Sequence, residues 1–312
     1  MRIFFATDIH GSEVCWRKFL NAGAFHKADV LIMGGDMTGK AMVPIVKRAN
    51  NWRLSLQDQE HVLATEAEVQ AMEKRILDRG YYPIRLSADE VAAWDSDAAL
   101  VDARFKAEMV GAVQRWMNMA DERLKGTPIR CVVSPANDDI FELDSIIDAA
   151  QLVELGEANV IEIDGFTMVS TGWANTTPWN TYRELPDPKL REKIDVLLET
   201  VPDRRRAIFN FHAPPYGSNL DNAPKLDADM RYVSAGQALV PVGSKAVRDA
   251  IVEYEPVLSL HGHIHEGRGA VKIGRTLAVN PGSTYEDGVL QAAIVDLDSK
   301  KGEVKRYLLI NG

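Results

Sequence analysis

The chain has only two cysteines, Cys15 and Cys131, each inside an apolar run and far apart in sequence. That scarcity excludes a disulfide framework or a cysteine-rich zinc cluster and predicts buried free thiols in a reducing compartment. Also missing is any run near the ~18 consecutive apolar residues that cross a bilayer. The N-terminal Met-Arg-Ile-Phe-Phe-Ala-Thr-Asp8 is too short an apolar stretch for a secretory signal before polar residues take over. We therefore expect a cytoplasmic protein with no membrane partner. An excess of basic residues is lacking too: 36 Lys and Arg stand against 45 Asp and Glu, a net charge of −9. Nucleic-acid binding, which displaces counterions with basic side chains, is disfavoured. Internal repeats, low-complexity tracts and separable linkers are absent, so residues 1–312 are expected to form a single domain.

What the sequence does have is Pro256-Val-Leu-Ser-Leu-His-Gly-His-Ile-His265. Its apolar first half reads as a buried strand, and histidines follow on alternate positions where the strand should end. Side chains alternate faces along an extended chain, so His263 and His265 can share one space while Ile264 points away. Paired imidazoles at a strand tip suit a metal. His261, earlier on the same alternation, reads as a packed or supporting residue.

Other strand tips repeat the pattern. Ile3–Ala6 runs into Asp8-Ile-His10-Gly11, and Ser12 can cap the helix that follows. Residues 29–33 run into Gly34-Gly35-Asp36, where glycine permits close backbone approach. Residues 129–133 lead to Asn137-Asp138-Asp139, and Ala207–Phe211 ends at His212. In open α/β sheets ligands gather at the carboxyl ends of strands, so these tips suggest one shared site.

Between the second and third of these strands, residues 50–126 shift to Ala, Glu, Gln, Lys, Arg and Leu with helical spacing. Val62, Val69, Met72 and Ile76 give one stripe. Val91, Trp94, Ala98, Val101, Phe105, Met109, Val113, Trp116, Ala120 and Leu124 give a second, before Gly126 and Pro128 stop it. This predicts a helical hairpin insertion whose stripe is packing surface, with a lid or dimerisation arm as the alternative. A β-hairpin is expected over 160–169 around Asp164-Gly165. The polar loop Gly172–Tyr182 reads as either a substrate-reading loop or surface packing, and the long segment 215–243 leaves the same edge as the candidate ligands. Arg204–Arg206 reads as a solvated run.

In this order the motifs resemble the calcineurin-like metallophosphoesterase superfamily, whose pattern is Asp-x-His, Gly-Asp, Gly-Asn-His-Asp/Glu, His and Gly-His-x-His. Here they read Asp8-Ile-His10, Gly35-Asp36, Ala136-Asn137-Asp138-Asp139, His212 and Gly262-His263-Ile-His265. The resemblance implies an α/β four-layer α/β/β/α sandwich holding two divalent metal ions. Asp8, His10, Asp36 and His265 would hold the first ion, and Asp36, Asn137, His212 and His263 the second. Mixed carboxylate, amide and imidazole ligands suit Mn, Fe, Zn or Ni, and Mn is favoured. Such a pair polarises a phosphate ester and lowers the pKa of a shared water so that hydroxide can attack. Asp36, Asn137 and His212 would position the phosphate alongside the metals.

One departure stands out. The family's histidine after the asparagine is replaced here by Asp138, a poor donor to phosphoryl oxygens that dications should keep charged. The resemblance therefore implies a phosphodiesterase rather than a monoesterase, acting on a small-molecule phosphate ester. The alternatives are a metal-binding scaffold for protein partners and a nuclease of the same superfamily. A homo-oligomer through the insertion is also expected.

Overall fold

The computed structural model describes residues 1–227 and 229–312. Two six-stranded sheets face each other. The first runs Glu303–Asn311, Gln291–Asp298, Arg2–Ala6, Val30–Met33, Arg130–Val133, Glu154–Leu155. The second runs Gly269–Ile273, Thr276–Asn280, Leu258–Leu260, Ala207–Phe211, Phe166–Thr171, Val160–Ile163. The described helices are α1 (Glu13–His26), α2 (Glu66–Asp78), α3 (Ala88–Ser96), α4 (Ala98–Leu124), α5 (Glu142–Asp148), α6 (Asp187–Glu199) and α7 (Lys245–Tyr254).

Alternation along each strand builds the layers. In Arg2–Ala6, Ile3 and Phe5 join Ile32 and Val132 in the space between the sheets, against Met168, Ile208, Leu258 and Val279. Phe4 and Ala6, on the other face, join Leu31 and Cys131 under α1, α4 and α5. On the far side Val169, Phe209 and Phe211 lie under Leu190 and Ile194 of α6 and Val247 and Ile251 of α7. The strands buried on both faces read as continuous apolar runs, as central parallel strands do. The result is the expected α/β/β/α order. Cys15 and Cys131 are buried free thiols. Among the described residues, no helix is long and apolar enough to cross a membrane.

The central strands fix where chemistry can occur. Arg2–Ala6, Val30–Met33 and Arg130–Val133 are mutually parallel, as are Phe166–Thr171, Ala207–Phe211, Leu258–Leu260 and Thr276–Asn280. Their carboxyl ends carry the candidate residues.

The segment between Val30–Met33 and Arg130–Val133 corrects one expectation. It is not a helical hairpin alone, because a four-stranded sheet in the order Gln59–Leu63, Trp52–Leu56, Met42–Lys47, Tyr82–Leu86 precedes the long helices. Val62 lies in a strand, whereas Val69, Met72 and Ile76 are on α2 and close a small core over Val43, Ile45, Leu54, Leu56 and Leu63. The second stripe is helical but broken. Asp97 turns extended and accepts a hydrogen bond from the amide of Ala99, which ends α3 and starts α4. Met109, Val113, Trp116, Met117, Ala120 and Leu124 of α4 are buried in the main core, with Trp116 stacked on Trp16 at 5.1 Å. That part of the stripe is packing surface, and Leu100 near the start of α4 is exposed.

The same segment reaches the strand tips. Gly80, after α2, adopts a left-handed φ of +85°, and a Cβ there would lie 2.1 Å from the carbonyl oxygen of His10. Ser12 Oγ donates to the Asp78 carbonyl at 2.7 Å, and the Gly39 amide donates to the Tyr82 hydroxyl at 2.8 Å. The insertion thus braces the loops after the first two strands. Gly80→Val should loosen the His10 loop and weaken metal retention about tenfold, since overpacking against backbone costs about 1–3 kcal/mol. Chelator competition would measure it, and unchanged retention would contradict the brace.

Candidate metal centre

Each candidate ligand sits one to five residues past a parallel strand, where the backbone must leave the sheet sharply. Asp8, His10, Asp36 and His263 have φ of 53°, 37°, 50° and 67°. Positive φ is uncommon for residues other than glycine and persists where surroundings impose it. The surroundings here are a lattice of loop contacts. The Asp8 amide donates to Gly35 O at 2.9 Å, the His10 amide to Asp36 O at 2.9 Å, and the Gly262 amide to His212 O at 2.9 Å. The His263 amide donates to Asp8 Oδ1 at 3.0 Å, and Ser283 Oγ to Asp8 O at 2.6 Å.

These loops gather the predicted residues into adjoining clusters. Asp8, His10 and His265 form one; Asp36, His212 and His263 form another; His10, Asp36 and Asp138 form a third. The carboxylates link them: His212 Nε2 is 3.3 Å from Asp36 Oδ2 and 3.7 Å from Asp8 Oδ1, while His265 Nε2 is 3.5 Å from Asp8 Oδ1. Asp8, His10, Asp36 and His212 are almost fully buried, whereas the His265 side chain is 26 % exposed. The site therefore opens to solvent on one side.

The unsatisfied atoms fit divalent ions. His10 Nε2 and His265 Nε2 approach to 3.0 Å, so one must carry a proton or both lone pairs must share a cation. His212 Nδ1 faces the Gly34 carbonyl at 3.1 Å as its donor, which leaves Nε2 buried without a hydrogen-bond partner. Such a backbone carbonyl behind an imidazole is how ligand histidines are oriented. Asn137 Nδ2 donates to Asp138 Oδ1 and to Thr181 Oγ1, each at 3.0 Å, and its Oδ1 is buried without a partner. Buried polar atoms left unpaired cost stability unless a ligand takes them up.

Titration follows from this crowding. Burial pushes Asp8 up, but His212 and His265 hold it down at about 2. Asp36 is held well below the usual carboxylate range, with His212 overcoming the effect of burial. Burial opposes charge on His212, yet Asp36 and Asp8 outweigh it and raise its pKa to about 9. Burial lowers His263 to about 4 and holds His10 well below 6.5, so both stay neutral. The sign for His212 is clear: its folded pKa lies above 6.5, so the stabilisation of the metal-free protein is complete below that value and lost as pH rises through about 9. A metal ligand must be deprotonated. Metal uptake near neutral pH should therefore release a proton and strengthen as pH rises toward 9; calorimetry in buffers of different ionisation enthalpy would show it, and proton-neutral uptake would contradict it.

Two substitutions in the third motif have structural accounts. Ala136 fits where glycine is usual because Gly35, at φ +118°, leaves the space, a Cβ there lying 2.2 Å from that of Ala136. Asp138 donates its amide to Asp36 Oδ1 at 3.0 Å and places Oδ2 3.3 Å from Lys40 Nζ. In the metal-free protein burial and Asp36 push the Asp138 carboxyl up to about 7 against the pull of Lys40. Lys40 is the cation among the described residues that faces this carboxylate.

Several supporting roles are not legible in the sequence. Buried Asp139 accepts from the amides of Ala136, Met37 and Thr38 and from Thr38 Oγ1, tying the Asp36 loop to the Asn137 loop. Glu184 accepts from Thr181 Oγ1 at 2.7 Å and Thr177 Oγ1 at 2.6 Å, so the Gly172–Tyr182 loop holds Asn137 through Thr181. Trp179 of that loop is 66 % exposed. Nothing periodic marks these residues; the Asp-Asp pair after Asn137 and the Thr-rich loop were the available signals. His261 is buried and faces the carbonyls of Phe211 and Ala213, outside the three clusters. Arg206 of the basic run donates to the carbonyls of Gly165 and Ser299.

No family model matches the chain. An uncharacterized protein, MJ1162 of Methanocaldococcus jannaschii, is 32% identical over 156 residues, which are 49% of this chain and 63% of that relative. The match thus spans less than two thirds of the relative's length. Among solved structures, one crystal structure aligns with a TM-score of 0.58 at 15% identity, covering 99% of this chain and 98% of the other. Protein TT1561 of Thermus thermophilus aligns with a TM-score of 0.54 at 13% identity, covering 100% and 97%. At such identities the likeness is one of fold. The resemblance to the calcineurin-like metallophosphoesterase superfamily rests on the order of the strand-tip residues.

Proposed function

We propose that the chain is a dinuclear metal-dependent phosphoesterase of the calcineurin-like superfamily, with phosphodiesters preferred over monoesters. The observation that carries the reading is the convergence of Asp8, His10 and His265 beside Asp36, His212 and His263 at one sheet edge. Asp8, His10, Asp36 and His265 would hold one ion, and Asp36, Asn137, His212 and His263 the other, with Asp36 common to both sets. Two divalent ions, Mn favoured, would supply Lewis-acid polarisation and a more acidic water.

The chain's own residues do the rest. In the metal-free protein His212 holds Asp8 and Asp36 ionised, so the site already carries the negative charge that attracts cations, while neutral His10 and His263 present lone pairs. Thr181 and Glu184 fix the Asn137 amide nitrogen, which leaves its buried oxygen without a hydrogen-bond partner and able to serve as a ligand. The absence of a histidine at position 138 removes a donor suited to a dianionic monoester. The whole chain is proposed to work as one domain, the insertion bracing the His10 loop, and the buried thiols of Cys15 and Cys131 support a cytoplasmic setting.

The test compares nitrophenyl phosphate with bis(nitrophenyl) phosphate in the presence of Mn. The diester should turn over at least about tenfold faster, a barrier difference of about 1.4 kcal/mol. A monoester preference would overturn the diesterase reading, and no turnover of either would overturn the enzyme.

A further inference from the structure

The phosphoesterase reading leaves one charged group without a role. Lys40 lies two residues past Thr38, whose amide and hydroxyl are pinned by Asp139, and one past Gly39, pinned by Tyr82. Its backbone is therefore fixed at the rim of the site. The side chain is about half exposed and its Nζ sits 3.3 Å from Asp138 Oδ2. Asp138 is itself oriented, because its Oδ1 accepts from Asn137 Nδ2 and its amide donates to Asp36 Oδ1. Asp138 Oδ2 is also 3.8 Å from His10 Nδ1, which places the ammonium beside the metal-ligand cluster rather than over open surface.

We propose that Lys40, steered by Asp138, is the side chain that contacts a phosphoryl oxygen of the substrate. The proposal rests on the phosphoesterase reading and names the donor that reading lacks. A half-exposed ammonium has three N–H donors, and one carboxylate oxygen at 3.3 Å leaves others free to face a ligand. The carboxylate that would otherwise repel a phosphate is neutralised by the same ammonium. Asp138 then acts as a positioning residue, and the ammonium offers its remaining N–H donors to a monoanionic diester.

The test uses full-length, Mn-loaded protein, inorganic phosphate as the probe in calorimetry, and a nitrophenyl diester in kinetics, with metal content measured on every sample. Lys40→Gln should retain its metal and lose about 10- to 100-fold in both phosphate affinity and kcat/KM, the range for removing a hydrogen bond to a charged group. Lys40→Arg, which keeps the charge, should stay within about threefold of wild type. In an Asp138→Asn background the Lys40→Gln effect should shrink, since the lysine is no longer steered. Phosphate affinity of Lys40→Gln within about twofold of wild type, with metal retained, would overturn the proposal. So would loss of metal in both lysine variants, which would make the residue a structural prop. A wild-type protein that takes up no Mn and hydrolyses neither ester would instead overturn the phosphoesterase reading beneath it.

Discussion

Asp36→Ala should give a folded protein that retains neither ion and turns over phosphate esters at least about three orders of magnitude more slowly, a loss of about 4 kcal/mol in the barrier. Asp36 Oδ2 lies 3.3 Å from His212 Nε2 and 3.8 Å from His10 Nε2, so its carboxylate adjoins ligands assigned to both ions. No other described side chain belongs to clusters on both sides of the site and carries its charge through neutral pH in this way. The fold should survive, because the carboxylate accepts one backbone hydrogen bond, from Asp138, and the histidines around it can remain neutral. A second readout is independent of activity. With Asp36 gone, the main group raising the His212 pKa is lost, so that pKa should fall from about 9. Proton NMR titration of the metal-free protein would follow it, and a His212 pKa unmoved by the substitution would show that the two side chains do not interact as placed.

The second large effect concerns a residue that touches no ligand. Asp139→Ala should destabilise the metal-free protein by about 3 kcal/mol, because three backbone amides and the Thr38 hydroxyl would lose a buried acceptor at once. Each unpaired buried donor costs its desolvation, and the two loops it joins carry Asp36 and Asn137. Urea unfolding would measure the loss, with an unchanged m-value showing that the unfolded state is unaffected. A change under about 1 kcal/mol would mean that water replaces the carboxylate and that the loops are held elsewhere. Metal retention should fall with stability in this variant, whereas in Asp36→Ala it falls without it.

The readable and unreadable parts of the sequence divide along physical lines. Strands buried on both faces, such as Val30–Met33 and Ala207–Phe211, announce themselves as apolar runs, and polar residues after them stand out. Asp164-Gly165 marked its hairpin because both residues take positive φ, which that dipeptide accommodates. The hairpin at Gln57-Asp58 has the same backbone, with φ of 52° and 59°, but no glycine or asparagine to signal it. Its strands are short and largely exposed on one face, and Pro44 interrupts their neighbour, so the region's Glu, Gln and Ala content suggested helix instead. The break between α3 and α4 is a single extended residue, Asp97, too small an event to disturb a periodic stripe.

The site divides in the same way. Asp8, His10, Asp36, Asn137, His212, His263 and His265 were visible because topology puts every parallel strand's end on one edge, so a polar residue there is informative wherever it falls in sequence. Lys40 was not, and the roles of Asp139 and Thr181 were not, since each gains its role from contact with a distant loop. A lone lysine after Gly39 has no spacing to betray it. Only the 3.3 Å approach to Asp138 does so.

The most direct test is anomalous diffraction from crystals grown with Mn, recorded on either side of the metal's absorption edge. The account predicts two peaks about 3.5–4 Å apart, one among Asp8, His10 and His265 and one among Asp36, His212 and His263, with Asp36 reaching both. A single peak, or none at this edge of the sheets after elemental analysis has shown Mn in solution, would contradict it.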